Sequence, residues 1–282
     1  MLEINNLSFS YPRKPLLFED LNLALGDGHI YGLLGKNGAG KSTLLKNMIG
    51  LAFPSRGNCL FNGIDVSGRP VRMLEDIFFI AEDLFVPSLT PVQFLGNTAG
   101  FYPNFNQDSF YGYLKALDVD PEGQMSRQSY GQQKKAMIAF GLASNASLLI
   151  MDEPTNGLDI PSKVQFRKLI ASVQTESRCI VISTHQVRDL NSLIDTLLVL
   201  HDREIVVNRS MDEITEKLSF GIYPDTFDLP VLYEEENIQG KSAILPNTTG
   251  EFSKVDMELL FNAIINGNEA LLEILKAPQN EL

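Results

Sequence analysis

The chain has 282 residues, a mean hydropathy of -0.02 and a formal net charge of -12 at pH 7. This length suits one large domain with a small addition, and the sequence lacks the run of about 18–20 apolar residues that a membrane-spanning helix needs. The acidic surface repels nucleic-acid phosphates, so no nucleic-acid partner is expected. The N-terminus carries Glu3 and no basic-then-apolar leader, so we expect a cytoplasmic protein.

Short apolar runs that end in turn residues alternate with helical patterns along most of the chain. The run IYGLLG (30–35) predicts a buried strand, and KSTLLKNMIG (41–50) predicts a helix with one apolar face. SLLIMDEP (147–154) and CIVISTH (179–185) predict two more buried strands, and TLLVLHDREIVV (196–207) predicts a β-hairpin. Strands that alternate with helices indicate an α/β domain with a largely parallel sheet.

Two regions differ from this alternating pattern. Residues 83–144 contain many aromatic residues and helical patterns but no clear strand, which predicts a mostly helical insertion. Near the end, MDEITEKL (211–218) and DMELLFNAIINGNEALLEILK (256–276) look helical, and the residues between them are mixed. We therefore divide the chain into a main domain, 1–211, and a C-terminal appendage of unknown role, 212–282.

The two cysteines, Cys59 and Cys179, show no spacing typical of a metal site. Cys179 lies in one of the predicted buried strands. We expect both thiols to be small core residues.

A glycine-rich segment, GKNGAGKST, follows the strand at 30–35 and opens the next helix. It fits G-x-x-x-x-G-K-[ST], in which the glycines let successive backbone N–H groups point at phosphate oxygens. Its lysine can reach the β- and γ-phosphates of a nucleotide, and its serine hydroxyl can bind Mg²⁺. The nucleotide-binding residues predicted in this segment are Gly35, Asn37, Gly38, Ala39, Gly40, Lys41, Ser42 and Thr43.

An acidic pair closes the apolar strand in LLIMDEPTNGLD. The strand places Asp152 at its carboxyl end, where open α/β sheets bind their ligands. Its carboxylate can hold the water shell of Mg²⁺, and the neighbouring Glu153 can orient or polarise an attacking water. Such a pair is weak evidence alone, but together with the phosphate cradle it predicts a site of nucleotide hydrolysis.

These motifs and their order resemble those of the ATP-binding-cassette (ABC) ATPases over about residues 1–210. The matching elements are GKNGAGKS, SYGQQ, LLIMDEP, NGLD and STH, and the similarity is closest to ATP-binding subunits of bacterial exporters. The resemblance implies a P-loop NTPase fold of the α/β class. It adds a β-rich N-terminal edge, a helical insertion at 83–144 and a small C-terminal appendage to the core.

The segment QSYGQ aligns with the family's signature, L-S-G-G-Q. In the family this helix N-terminus faces the γ-phosphate of ATP held by the opposite subunit. The resemblance therefore implies that Ser129, Gly131 and Gln132 bind ATP across a dimer interface, with a simple helix cap as the alternative. Glutamine replaces the leucine and Tyr130 replaces the first glycine, whereas the serine and the second glycine remain.

The resemblance assigns further residues one by one. His185 would contact the γ-phosphate, Tyr11 would stack on adenine, and Asp159 would lie at the subunit interface. Glu82 stands where the family usually has a glutamine that touches Mg²⁺. A carboxylate can also bind Mg²⁺, but it adds a negative charge beside the γ-phosphate. The alternative for Tyr11 is a tyrosine of the core. The alternatives for Glu82 are a solvated loop acid, or an alignment in which Asp83 takes the position of the glutamine.

The expected function is ATP hydrolysis that drives two ATP-binding subunits together and apart beside a membrane-spanning transporter subunit. Glu153 would be the catalytic base, His185 a γ-phosphate stabiliser, and Ser42, Glu82 and Asp152 the Mg²⁺ ligands. ATP and Mg²⁺ are the expected cofactors. The second ATP-binding subunit would be identical or paralogous to this chain. The chain would lie at the inner face of the cell membrane. The alternatives are a non-transport ATPase acting on DNA or ribosomes, and an assembly protein with weak hydrolysis.

Overall fold

The computed structural model describes residues 1–189, 193–223, 230–238 and 240–276. Among these residues, no helix has the length and apolar composition to cross a bilayer. Strands β1–β13 run over Leu2–Ser10, Leu16–Leu25, Ile30–Leu34, Arg56–Phe61, Ile64–Asp65, Ile77–Ile80, Leu148–Asp152, Cys179–Thr184, Thr196–His201, Glu204–Ser210, Leu218–Tyr223, Tyr233–Asn237 and Gly240–Pro246. Helices α1–α9 run over Lys41–Met48, Val71–Leu74, Pro91–Thr98, Gln107–Ala116, Tyr130–Ala143, Ile160–Val173, Met211–Lys217, Met257–Ile265 and Glu269–Lys276.

The central sheet has the strand order β10-β9-β3-β8-β7-β6. Its neighbours from β9 to β6 are parallel, and β10 joins β9 as an antiparallel hairpin. Strands β3, β7 and β8 are buried along their whole length. Burial on both faces explains why these strands are continuous apolar runs rather than alternating ones. The three strands and the β9–β10 hairpin confirm the elements predicted from the sequence.

An antiparallel sheet with the order β2-β1-β4-β5 forms the N-terminal edge of the molecule. Its inner face packs on helix α1, whose apolar side, Leu44, Leu45, Met48 and the following Ile49, is buried as predicted. This second layer, with the central sheet and its helices, confirms the mixed α/β class and the β-rich N-terminal edge.

Between residues 83 and 144 the regular elements are helical, with α3, α4 and α5 as the main ones. Their core is a cluster of aromatic rings around Phe140, which is fully buried. The ring centroids of Phe94 and Phe105 lie 4.8 Å from that of Phe140, and the centroid of Phe78 lies 5.6 Å away. Because Phe78 belongs to strand β6, this cluster joins the helical segment to the central sheet.

The C-terminal region forms a three-stranded antiparallel sheet, β11-β13-β12, with α8 beside it and α9 packed against α7, α8 and β10. Side chains such as Ile244 and Leu260 are fully buried and share one apolar cluster with the central sheet. At the surface, Arg188 Nε donates to Glu258 Oε2 over 2.8 Å. The appendage expected at 212–282 also includes residues 224–229, 239 and 277–282, which lie outside the described residues.

Both cysteines are buried free thiols, as predicted. Cys59 lies in β4 and Cys179 begins β8. Burial raises the pKa of each thiol to about 12, so both are protonated at neutral pH and behave as small apolar side chains.

Phe140→Ala should lower the free energy of unfolding by about 3–5 kcal/mol, because it removes a fully buried ring and leaves a cavity. Chemical denaturation measures this change. Phe101→Ala is the matched control, since that ring lies in the same segment but is 68% exposed, and it should cost less than about 0.5 kcal/mol. Equal losses in the two variants would contradict the placement of Phe140 at the centre of this core.

Candidate active site

A cleft of about 590 Å³ opens at the carboxyl edge of the central sheet. It collects side chains from the loops that follow β3, β6, β7 and β8, because parallel strands end on the same side of a sheet. The β1–β2 hairpin of the N-terminal sheet supplies the rest of its lining. The cleft is lined by Tyr11, Lys14, Pro15, Leu16, Leu17, Asn37, Gly38, Gly40, Lys41, Ser42, Thr43, Glu82, Glu153 and His185. The structure thus brings together most of the residues predicted on separate motifs.

The glycine-rich segment is a tight loop between β3 and α1. Lys41 opens the helix, and its ammonium donates to the carbonyl oxygens of Gly35, at 2.8 Å, and Lys36, at 3.4 Å. The side chain is only 7% exposed. Burial lowers the pKa of Lys41, and the acidic groups of the cleft, Glu153 first, oppose that shift. The ammonium therefore lies over the loop, where phosphate oxygens can replace the two carbonyls as its partners.

Tyr11 lies at the mouth of the cleft, just after β1. Its hydroxyl forms a 2.9 Å hydrogen bond with Thr43 Oγ1, and its ring packs edge-to-face with Phe9, with 5.0 Å between centroids. With 45% of its surface exposed, Tyr11 is not a core tyrosine. Its exposed ring suits contact with a planar base, and the stacking role stays a prediction.

Asp152 and Glu153 are both buried at the end of β7, and Glu153 lines the cleft whereas Asp152 lies beside it in the chain. Ser183 Oγ donates to Asp152 Oδ1 over 2.5 Å, and the Glu153 backbone N–H donates to the Ser183 carbonyl over 3.0 Å. The Glu153 carboxylate accepts from Thr184 Oγ1 at 3.0 Å and from the backbone N–H of His185 at 2.9 Å. Glu153 has a φ of 47°, which is uncommon for a glutamate and typical of functional sites.

The imidazole of His185 completes this arrangement. Its Nδ1 lies 2.8 Å from Glu153 Oε1, and the side chain is 36% exposed toward the cleft. Since Nδ1 contacts the carboxylate, Nε2 is the ring nitrogen available to a ligand. Glu153 and His185 therefore place a carboxylate oxygen and an imidazole ring side by side in the cleft.

Glu82 lines the cleft, whereas the adjacent Asp83 is exposed. Asn156 Nδ2 donates to Glu82 Oε1 over 3.3 Å, so Glu82 is not a free loop acid. In the described ranges, no group of three or more His, Cys, Asp or Glu side chains is arranged to bind a metal. Mg²⁺ commonly uses one or two carboxylates with water and phosphate oxygens. The predicted ligands Ser42, Glu82 and Asp152 are all oxygen donors and fit Mg²⁺ in that mode.

The segment QSYGQ begins helix α5 outside the cleft. Ser129 is the N-cap, and its Oγ accepts from the Gln132 backbone N–H at 3.3 Å. Gly131 lies against the carbonyl of Gly157, where an added Cβ would be 2.6 Å from the oxygen. Neither Ser129, Gly131 nor Gln132 lines the cleft that holds Lys41 in the described part of the chain. This helix N-terminus is therefore separate from the cleft of its own chain, and its contact with ATP held by another chain stays a prediction.

Asp159 has a local role as the N-cap of α6. Its Oδ1 accepts from the Ser162 backbone N–H over 2.9 Å, and hydrogen bonding to Ser162 lowers the pKa of the carboxyl group. The side chain is exposed. Its place at a subunit interface stays a prediction.

Lys134 is a site residue that the sequence analysis missed. Its side chain is 0% exposed, and Nζ donates to the backbone carbonyl of Glu153 over 2.7 Å. The sequence signal for such a residue was the pair of lysines in QQKK, at the start of an apolar helix. Charged groups are rarely buried without partners, so a lysine on a buried helix indicates a partner elsewhere in the fold. The hydroxyls of Ser183 and Thr184 were also missed, since the sequence presents them only as the end of a strand.

Comparison with known proteins agrees with this geometry. The model of a family described as ABC transporter matches residues 18–156. The lantibiotic transport ATP-binding protein SrtF of Streptococcus pyogenes is 31% identical, covering 75% of this chain and 92% of that protein. A Bacillus cereus relative, whose name includes ABC transporter ATP-binding protein, is 32% identical over 76% of this chain, but the chain spans only 39% of that relative's length. A solved ATP-binding subunit of an ABC transporter superposes with a TM-score of 0.68 and 26% identity, covering 76% of this chain and 91% of that one.

Lys41→Ala should weaken ATP binding by about 10- to 100-fold, because a charge-assisted hydrogen bond to phosphate is lost. Titration with ATP by calorimetry measures the affinity. Lys46→Ala is the matched control, since it removes a lysine from the last turn of the same helix and should leave the affinity unchanged. Unaltered binding by Lys41→Ala would show that the glycine-rich loop is not the nucleotide site.

Proposed function

Because this chain belongs to the family of ABC transporter ATP-binding proteins, we propose that it binds and hydrolyses ATP to drive a membrane-spanning transporter partner. One observation carries the proposal. The cleft places the phosphate-binding Lys41 beside a buried carboxylate, Glu153, whose oxygen contacts His185. The chain has the P-loop fold of the family's ATPase cassettes, so the cleft lies where such sheets bind their ligands.

Each residue of the cleft has a role in this proposal. Lys41 and the backbone N–H groups of the loop bind the β- and γ-phosphates. Ser42, Glu82 and Asp152 would hold Mg²⁺, and a bound ion would neutralise charge on the phosphates. The ring of Tyr11 packs against the adenine of ATP.

Glu153 is the general base, because its carboxylate is fixed by an O–H donor from the last residue of β8 and an N–H donor from the residue that follows it. It accepts a proton from the attacking water as the water approaches the γ-phosphate. With both ring nitrogens protonated, His185 donates from Nδ1 to Glu153 and from Nε2 to a γ-phosphate oxygen. Its contact with Glu153 through Nδ1 keeps the base and the donor in a constant relative position.

A second ATP-binding subunit, identical or paralogous, completes the site. Ser129, Gly131 and Gln132 lie at a helix N-terminus that is separate from the cleft of their own chain, and such a terminus attracts phosphate. In a two-fold dimer, this surface faces the γ-phosphate held by the other chain. Asp159, exposed at the start of α6, lies at the same interface. ATP then joins the two subunits, and its hydrolysis releases them.

The membrane partner follows from the family rather than from the cleft. SrtF is named as a transport protein, which supports the transport role over the alternatives of a DNA- or ribosome-associated ATPase and an assembly protein with weak hydrolysis. We place the chain at the inner face of the cell membrane, beside a separate membrane-spanning subunit.

Glu153→Gln should lower ATP turnover by about 10²- to 10⁴-fold, because it keeps the shape of the side chain but removes the base. ATP binding should persist, since Lys41 and its loop are untouched, and an ATP-bound dimer should accumulate. Steady-state phosphate release and the mass of the particle with ATP measure these effects. Glu122→Gln, an exposed acid in the insertion, is the control. Near-normal turnover by Glu153→Gln would remove Glu153 from the role of base.

Ser129→Arg and Lys41→Ala should each abolish hydrolysis alone and restore part of it when mixed. A dimer of one chain of each kind has one site with an intact cradle and an intact signature. An equal mixture should recover about a quarter of normal activity if two copies of this chain form the dimer and one site can work alone. Full activity of Ser129→Arg by itself would reduce the signature segment to a helix cap. An inactive mixture would contradict sites shared between identical chains.

A further inference from the structure

The two positions at which this sequence departs most from the ABC pattern contact each other in the structure. The hydroxyl of Tyr130 donates to the backbone carbonyl of Glu82. The Tyr130 ring packs on Gly157, where an added Cβ would be 2.8 Å from Cδ1. Burial raises the pKa of Tyr130, so the phenol is protonated at neutral pH and remains a donor. The ring is thus turned toward loops of its own chain.

Lys134 lies one turn further along α5, on the same face as Tyr130, because residues four apart are neighbours on a helix. Its Nζ is 4.8 Å from the centroid of the Tyr130 ring, within the range of a cation–π contact. The same ammonium donates to the Glu153 carbonyl over 2.7 Å. A continuous path of contacts therefore runs from the loop of Glu82 to the backbone of Glu153.

The charges around Lys134 give this path a second role. Burial lowers the pKa of Lys134, and the nearby carboxylates oppose that shift, Glu82 most strongly and Glu153 next. A fully buried ammonium is costly unless opposite charges or hydrogen bonds compensate for its lost hydration. Lys134 therefore adds a buried positive charge near Glu82 and Glu153, in addition to the charge of Lys41 in the cleft.

We propose that Tyr130 and Lys134 are positioning residues that connect the loop of Glu82 to the backbone of Glu153, and that Lys134 balances the extra negative charge of Glu82. This inference rests on the proposed function, because it assigns how the base is held. Glu153 has a left-handed backbone conformation, with φ at 47°, and the Lys134 hydrogen bond fixes the carbonyl of that residue. A displacement of the Glu82 loop therefore moves Glu153, the general base, through the contacts of Tyr130 and Lys134.

A double-mutant cycle with Lys134→Met and Glu82→Gln tests the charge balance. Lys134→Met alone should lower kcat at least about tenfold and change the KM for ATP less than about twofold, because the phosphate cradle is untouched. In chains that carry Glu82→Gln, the loss caused by Lys134→Met should be at least about fivefold smaller, since less charge needs compensation. Lys168→Met, an exposed lysine on α6, is the control and should leave turnover unchanged.

Tyr130→Phe tests the contact with the Glu82 loop without disturbing the packing on Gly157. It removes one hydroxyl and should lower kcat about threefold to tenfold with the KM for ATP unchanged. A purely structural tyrosine would instead lower the melting temperature and leave kcat as it is.

Thermal unfolding of the four nucleotide-free chains of the cycle gives a readout that does not need hydrolysis. The fall in melting temperature caused by Lys134→Met should be smaller when Glu82→Gln is present. Normal turnover by the unaltered chain, with equal effects of Lys134→Met in both backgrounds, would overturn the inference and leave the proposed function standing. No turnover by the unaltered chain, with coupled melting temperatures, would overturn the proposed function and retain the pairing of Lys134 with Glu82.

Discussion

Parallel pairing of β3, β8 and β7 is the constraint on which the site depends. Leu34 pairs with Thr184, and Asp152 pairs with Ser183, so the phosphate loop, the acidic pair and the histidine leave the sheet at neighbouring points. A slip of one residue in this register would move every side chain of a strand to the opposite face. The hydrogen bond between Ser183 and Asp152 is therefore as much a product of strand register as of local sequence.

Much of this arrangement could be predicted from the sequence, since glycine-rich loops and buried parallel strands have strong local patterns. The partners of Glu153 could not, because Thr184 and Lys134 reach it only after distant segments pack. The sheet in the C-terminal region was missed for a related reason. Strand β12, Tyr233–Asn237, contains three consecutive glutamates, a composition depleted in strands, and its pairing with β13 decides its structure.

Opposite charges are concentrated around the cleft. The chain is acidic overall, yet Lys41 and Lys134 are both buried, and the carboxylates of Asp152 and Glu153 interact electrostatically with both ammonium groups. In a medium less polar than water, such charges act over longer distances than they do at the surface. Carboxylates can therefore be concentrated in one cleft while cations from the loop and from α5 offset their mutual repulsion.

The ring of Phe78 belongs to strand β6 by sequence and to the aromatic core of the helical segment by position. Helices α3–α5 cannot rotate against the central sheet unless Phe78 and Phe140 separate or β6 moves with them. A displacement of these helices would therefore pass through β6 to its parallel neighbour β7, the strand that ends in Asp152.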